Sequence, residues 1–129
     1  MNRPVLFVCF LAFLIALVLV ALFPSCASAL TPAQRSARAT VVAEAHKAGY
    51  GPINTAALVW LAKRESNYHT ASRSRGGHYL GLFQLHNTMC EGKPWRDAGW
   101  NTRRAIVYIE RRYHSPARAK RFWLRHGWY

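Results

Sequence analysis

The chain has 129 residues and is strongly basic, with 18 Lys and Arg against five Asp and Glu and a formal net charge of +13. This length fits one small domain with a modest core, and this charge predicts attraction to polyanions that added salt weakens. The three cysteines and six histidines lack the spacing of a metal site, so we expect neither a metal nor a cofactor.

The N-terminal segment has the order of features that is typical of an export signal. Arg3 precedes an unbroken apolar run at residues 5–23, and Ala27-Ser28-Ala29 forms a small-residue cleavage pattern. We predict that residues 1–29 are a signal peptide. A membrane anchor formed by residues 5–23 is the alternative, because the run is about long enough to span a bilayer. The domain is therefore expected to be secreted, in the cell wall or periplasm, or anchored with its folded part outside the cytoplasm.

The predicted mature domain, residues 30–129, keeps almost all of the charge. Removing Arg3 leaves 17 basic and five acidic residues, a formal net charge of +12. Cys90 is then the single cysteine, so no internal disulfide is expected. Outside a cell the available polyanions are wall polymers and anionic lipid, whereas nucleic acid lies in another compartment. We therefore expect a monomer whose basic surface binds anionic cell-wall polymers and no nucleic acid.

Two helices are predicted in the first half of the mature domain. The first begins at a capping box formed by Thr31 and Gln34, has Pro32 at its first position and ends at Gly49. Its apolar stripe is Ala37, Val41, Ala45 and Ala48. The second helix is predicted from about residue 54 to Ser66. Its apolar face consists of Leu58, Leu61 and Ala62.

The second half contains loops and two further helices. Residues 70–79 are rich in Ser, Gly and Arg and predict a loop, and the apolar "LGLFQLHN" that follows predicts a short turn or helix. A second loop is anchored by Trp95 and Trp100. Asn101 is expected to cap a helix that ends at Tyr113. Ser115-Pro116 begins a last helix, which Gly127 ends. No alternating strand pattern of useful length is present, so the predicted class is mainly α, in one domain.

Glu65 is the only acidic residue of the second predicted helix, and its position bears on its pKa. It follows Leu61 by four residues, so it extends the apolar stripe. It also lies in the last turn, where the helix dipole disfavours negative charge. Both effects raise the pKa of a carboxyl group, as general acid catalysis of glycosidic cleavage requires. A structural ion pair with a neighbouring base is the other interpretation of this position.

Two segments carry a resemblance to a known family. "RESNY" at residues 64–68, followed by "SRGGHYLGLFQL" at 74–85, resembles the lytic transglycosylases, lysozyme-like enzymes with an SLT-type domain that cleave the glycan strands of peptidoglycan. Residues 100–129 are similar to the C-terminal half of small exported members from actinobacteria and their phages. The loop "GGHYLGLFQ" also resembles the related resuscitation-promoting factors. The resemblance extends from about residue 50 to the end and implies one small lysozyme-like domain.

The resemblance also implies roles for individual residues. Glu65 matches the catalytic acid/base, Gln84 matches a glutamine that contacts sugar, and Tyr108 matches a tyrosine that orients the acid. Tyr79 and Phe83 are expected along the cleft. From the residues alone, Gln84 could instead satisfy backbone groups, and the three aromatic side chains could belong to the core.

The implied reaction is cleavage of the β-1,4 bond between N-acetylmuramic acid and N-acetylglucosamine, with 1,6-anhydro ends as the product. One carboxyl acts as acid and then as base, which suits a chain poor in carboxylates. A muramidase is the first alternative, and it needs a second carboxylate, for which Glu91 and Asp97 are the candidates. The other alternative is a cationic wall- or membrane-binding protein without catalysis.

Overall fold

The computed structural model describes residues 29–129, so the predicted signal peptide or membrane anchor lies outside the described residues except for Ala29. Within this range the chain is mainly helical, as predicted. The elements in chain order are α1 (Pro32–Lys47), α2 (Pro52–Ser66), β1 (Tyr79–Leu80), β2 (Leu85–His86), a 3-10 turn (Asn87–Met89), α3 (Ala98–Tyr113) and α4 (Pro116–His126). None of the helices in this part of the chain is long and apolar enough to cross a bilayer.

The first helix begins as its sequence predicts. The Thr31 hydroxyl accepts a hydrogen bond from the Gln34 backbone N–H at 3.2 Å, and the Gln34 side chain accepts one from the Thr31 N–H at 2.8 Å. This reciprocal pair satisfies two of the N–H groups that a helix start leaves without partners. The helix stops at Lys47, and Gly49 follows with φ of +79°.

The start of α3 differs from the prediction. The N-cap is Asp97, whose Oδ1 accepts a hydrogen bond from the Trp100 N–H at 2.6 Å. The predicted cap, Asn101, is instead fully buried within the first turns of the helix. Aspartate caps as well as asparagine does, and the earlier start frees the Asn101 side chain for contacts elsewhere.

The segment predicted as a short turn or helix is a β-hairpin. Strands β1 and β2 pair antiparallel, with Leu80 opposite Leu85, and Gly81 begins the turn with φ of +80°. A Cβ on Gly81 would lie 2.2 Å from Asn101 Nδ2, so only glycine fits there. Asn101 accepts a hydrogen bond from the Phe83 N–H and donates one to the Trp95 carbonyl, both at 3.0 Å. This buried amide therefore ties the hairpin and the Trp95 loop to α3.

The helices enclose one core. Helix α2 packs against α1 and α4, and α3 packs against α1 and α4. The apolar face predicted for α2 is fully buried, and so are three of the four stripe residues of α1. Ala48 is exposed because α1 has already ended there. Burial of this apolar face sets the orientation of α2 in the domain. Glu65, at the C-terminal end of α2, and the hairpin residues line the same groove.

Candidate active site

Glu65 occupies the last turn of α2, where Asn67 ends the helix with φ of 49°. The side chain is half-buried. Burial raises the pKa of its carboxyl group, and a hydrogen bond from Trp123 acts in the opposite direction. The direction of the shift agrees with the prediction, because desolvation penalises the charged form more than one donor stabilises it.

Trp123, on α4, supplies the hydrogen bond that Glu65 accepts. Its Nε1–H donates to Glu65 Oε1 over 2.7 Å. The indole ring packs edge-on against Trp60 with the centroids 5.2 Å apart, and the Arg64 guanidinium lies 4.7 Å from the Trp123 centroid. An indole N–H only donates, so Oε1 stays an acceptor and a proton on this carboxyl group resides on Oε2. Trp123 was not among the predicted site residues, and only its place in the conspicuous C-terminal aromatic run could have indicated it.

A groove with a volume of about 410 Å³ opens beside Glu65. The five residues predicted for the site, Glu65, Tyr79, Phe83, Gln84 and Tyr108, all line it. The others are Ser74, Leu85, His86, Met89, Trp128 and Tyr129. The lining thus comes from the end of α2, the hairpin and its turn, the 3-10 turn, α3 and the C-terminal residues.

Gln84 and Phe83 offer few free atoms to a ligand in the groove. The Gln84 amide Nε2 donates to the carbonyls of Gly81 at 3.0 Å and Ser72 at 3.4 Å, so this side chain does satisfy backbone groups. Both of these hydrogen bonds leave from Nε2, and Oε1 is the atom that can receive a ligand. Phe83 is only 1% exposed and belongs to the core.

Tyr79 and Tyr108 lie in different environments. Tyr79 is 48% exposed at the groove rim and packs edge-on against His86. Tyr108 is half-buried, with its ring against those of Tyr113 and Tyr129. The hydrogen bond to the Glu65 carboxyl comes from Trp123, whereas the resemblance implies Tyr108 for that role. Tyr108 therefore lines the groove as a member of this aromatic cluster, and Trp123 is the residue that donates to Glu65.

The last two residues of the chain also form part of the groove, which the sequence interpretation missed. The Tyr129 hydroxyl donates to the Phe83 carbonyl at 2.9 Å. Burial, followed by the nearby Glu65 charge, raises the pKa of Tyr129 well above its ordinary value, so the phenol stays protonated. Trp128 is 52% exposed and packs edge-on against Phe122. A half-exposed indole beside a groove is a surface on which a sugar ring can stack.

Glu65 has the only acidic side chain among the described residues that line the groove. Glu44 is buried in α1 and pairs with Lys47 at 2.9 Å and Arg103 at 3.1 Å, and the Lys47 hydrogen bond is the main cause that lowers its pKa. Glu110 accepts a hydrogen bond from the Tyr50 hydroxyl.

The two carboxylates considered as partners for Glu65 lie elsewhere. Asp97 is exposed and caps α3, and Glu91 is exposed beside a different depression, between Cys90 and Gly92. Residues 29–129 contain no cluster of three His, Cys, Asp or Glu that could hold a metal. Cys90 is free and buried, and burial raises the pKa of its thiol. No protein-family model, curated protein or solved structure matches the chain.

Proposed function

We propose that the protein is an exported lytic transglycosylase with a lysozyme-like domain that cleaves the glycan strands of peptidoglycan. The observation that carries the proposal is the groove in which Glu65 has a raised pKa and is the only acidic side chain among the described lining residues. Two-carboxylate glycosidases keep their carboxyl groups about 5–9.5 Å apart on either side of the scissile bond. A single carboxyl group favours a reaction in which the same residue acts twice.

The proposed reaction has two proton transfers at Glu65. The proton on Oε2 passes to the glycosidic oxygen between N-acetylmuramic acid and N-acetylglucosamine, and the bond from the muramic C1 to that oxygen breaks. The Glu65 carboxylate then removes the proton of the muramic C6 hydroxyl, whose oxygen bonds to C1. The product carries a 1,6-anhydro ring, Glu65 regains its proton, and no water is consumed.

Trp123 keeps the carboxyl group in one orientation through both transfers. Its N–H remains on Oε1 whether Glu65 is protonated or charged, so Oε2 is the atom that exchanges the proton. The hydrogen bond also stabilises the carboxylate that forms after the first transfer. The half-buried site limits the access of water, which favours attack by the internal hydroxyl over hydrolysis.

The products of peptidoglycan digestion test this proposal. The mature protein should release soluble fragments with 1,6-anhydromuramic ends, which mass spectrometry finds one water lighter than hydrolysed ends. Glu91→Gln is the matched control, because it removes an exposed carboxylate outside the groove and should digest like the wild type. Reducing ends in place of anhydro ends would identify a muramidase, and undiminished digestion by Glu65→Gln would refute Glu65 as the catalytic acid. Binding to the wall with no fragments released by the wild type would identify a protein that binds the wall without cleaving it.

Export is a separate part of the proposal and depends on the N-terminal sequence pattern. N-terminal sequencing of protein recovered from the culture medium or wall fraction should begin at Leu30. Recovery of the full-length chain in membranes would instead support an anchor at residues 5–23.

A further inference from the structure

A second depression, of about 310 Å³, lies next to the groove on the surface of α3. It is lined by Met89, Arg104, Val107, Tyr108, Arg111 and Arg112. Met89 and Tyr108 line both the groove and this arginine cleft. The two depressions therefore adjoin at these side chains, so a ligand in the groove could extend past them into the arginine cleft.

Within residues 29–129, the arginine cleft presents three guanidinium groups and no acidic side chain. The ion pairs among the described residues join Glu44 to Lys47 and Arg103, so the charges of Arg104, Arg111 and Arg112 are not neutralised there. The Arg112 guanidinium lies 5.4 Å from the Trp128 ring centroid, which brings it to the groove wall. Guanidinium groups bind carboxylate and phosphate through paired hydrogen bonds, so the chemistry of the cleft selects an anion.

We propose that the arginine cleft binds the carboxylates of the stem peptide attached to the glycan strand that lies in the groove. This inference rests on the proposed function, since it takes the groove to hold a muramic acid residue whose lactyl group bears a peptide. Such a peptide is tied covalently to the sugar and carries free carboxylates, so it suits a cationic cleft that adjoins the groove. The cleft would then make the protein discriminate peptide-bearing strands from bare glycan.

The test compares two double variants that lose the same charge. Arg104→Gln with Arg111→Gln alters the cleft and leaves Arg112 against Trp128. Arg118→Gln with Arg121→Gln is the control, because these exposed arginines of α4 line neither depression. Calorimetry measures the Kd of three probes: a disaccharide with its stem peptide, neutral chitotetraose, and poly(glycerol phosphate).

The cleft variant should bind the peptide-bearing disaccharide about tenfold more weakly, as expected for one half-buried and one exposed charge pair, while its affinity for chitotetraose stays unchanged. The control should change little for either probe. Equal losses in both variants would overturn the inference, because net charge alone would then explain binding. If the cleft variant loses affinity only for poly(glycerol phosphate), the assignment of the stem peptide is overturned, and a phosphate polymer is the ligand.

The same titrations separate this inference from the proposed function. If wild-type protein binds chitotetraose, and binds the peptide-bearing disaccharide no more tightly than chitotetraose, the inference about the arginine cleft fails and the glycan groove stands. If wild-type protein binds neither chitotetraose nor the peptide-bearing disaccharide, the glycan groove itself is refuted, and the proposed function fails with the inference that rests on it.

Discussion

The hydrogen bond from Trp123 to Glu65 gives the most specific prediction. Trp123→Phe keeps an aromatic ring beside Trp60 and removes the single donor that lies 2.7 Å from Glu65 Oε1. A hydrogen bond to a charged acceptor contributes about 1.5–3 kcal/mol, and the half-buried position of Glu65 favours the lower end. About 1.4 kcal/mol corresponds to a tenfold change in the ratio of ionised to protonated Glu65.

The direction of the pKa change in Trp123→Phe depends on which form of Glu65 the hydrogen bond favours. The N–H stabilises the carboxylate, so its loss raises the pKa of Glu65 further. Because cleavage begins with protonated Glu65, the alkaline limb of kcat/KM should move to higher pH in Trp123→Phe. The plateau at lower pH should also fall, since the carboxyl group is no longer held in one orientation.

The assay is the rate of soluble fragment release from purified peptidoglycan, measured across the pH range for wild type and two variants. Trp60→Phe is the matched control, because it alters the ring that packs on Trp123 and leaves the donor in place. If the alkaline limb of Trp123→Phe coincides with that of the wild type, or moves to lower pH, the assigned role of the indole N–H is wrong. If both variants lose the same fraction of the cleavage rate and keep the pH profile of the wild type, Trp123 contributes only through packing.

Four further predictions concern catalysis, stability and binding. Glu65→Gln should slow glycan cleavage by about 10²–10⁴-fold or more, since the residue serves in both half-steps, and Glu91→Gln should not. The raised pKa of Glu65 means that its contribution to stability falls as pH rises through that pKa, so Glu65→Gln should unfold at a higher temperature than wild type at neutral pH, with the difference vanishing in acid. Asn101→Ala should lower the free energy of unfolding in urea by about 2–3 kcal/mol, because it leaves the buried Phe83 N–H unpaired and releases the Trp95 carbonyl; unchanged stability would contradict the role given to this amide. Retention on intact cell wall should weaken steeply with added salt, and equal retention at low and high salt would show that the basic surface does not hold the protein there.

The sequence by itself determined those features that depend on neighbours along the chain. The capping box at Thr31, the buried face of α2 and the place of Glu65 in the last turn all follow from spacings of three or four residues. Such spacings lie within one helix, so they can be read from the sequence before the packing partners of that helix are known. The raised pKa of Glu65 could be predicted for the same reason, since a polar side chain that continues an apolar stripe is expected to be desolvated.

Only the tertiary structure decided which residues surround that carboxyl group. Trp123 reaches Glu65 from a helix 58 positions further along the chain, and no local pattern marks such a pair. The hairpin formed where a turn or helix was expected because Asn101, buried in α3, pairs with the Phe83 N–H and leaves room only for glycine at position 81. Packing of helices distant in sequence thus selected among local alternatives of similar energy, and it alone left Glu65 without a second acidic side chain among the described residues of the groove.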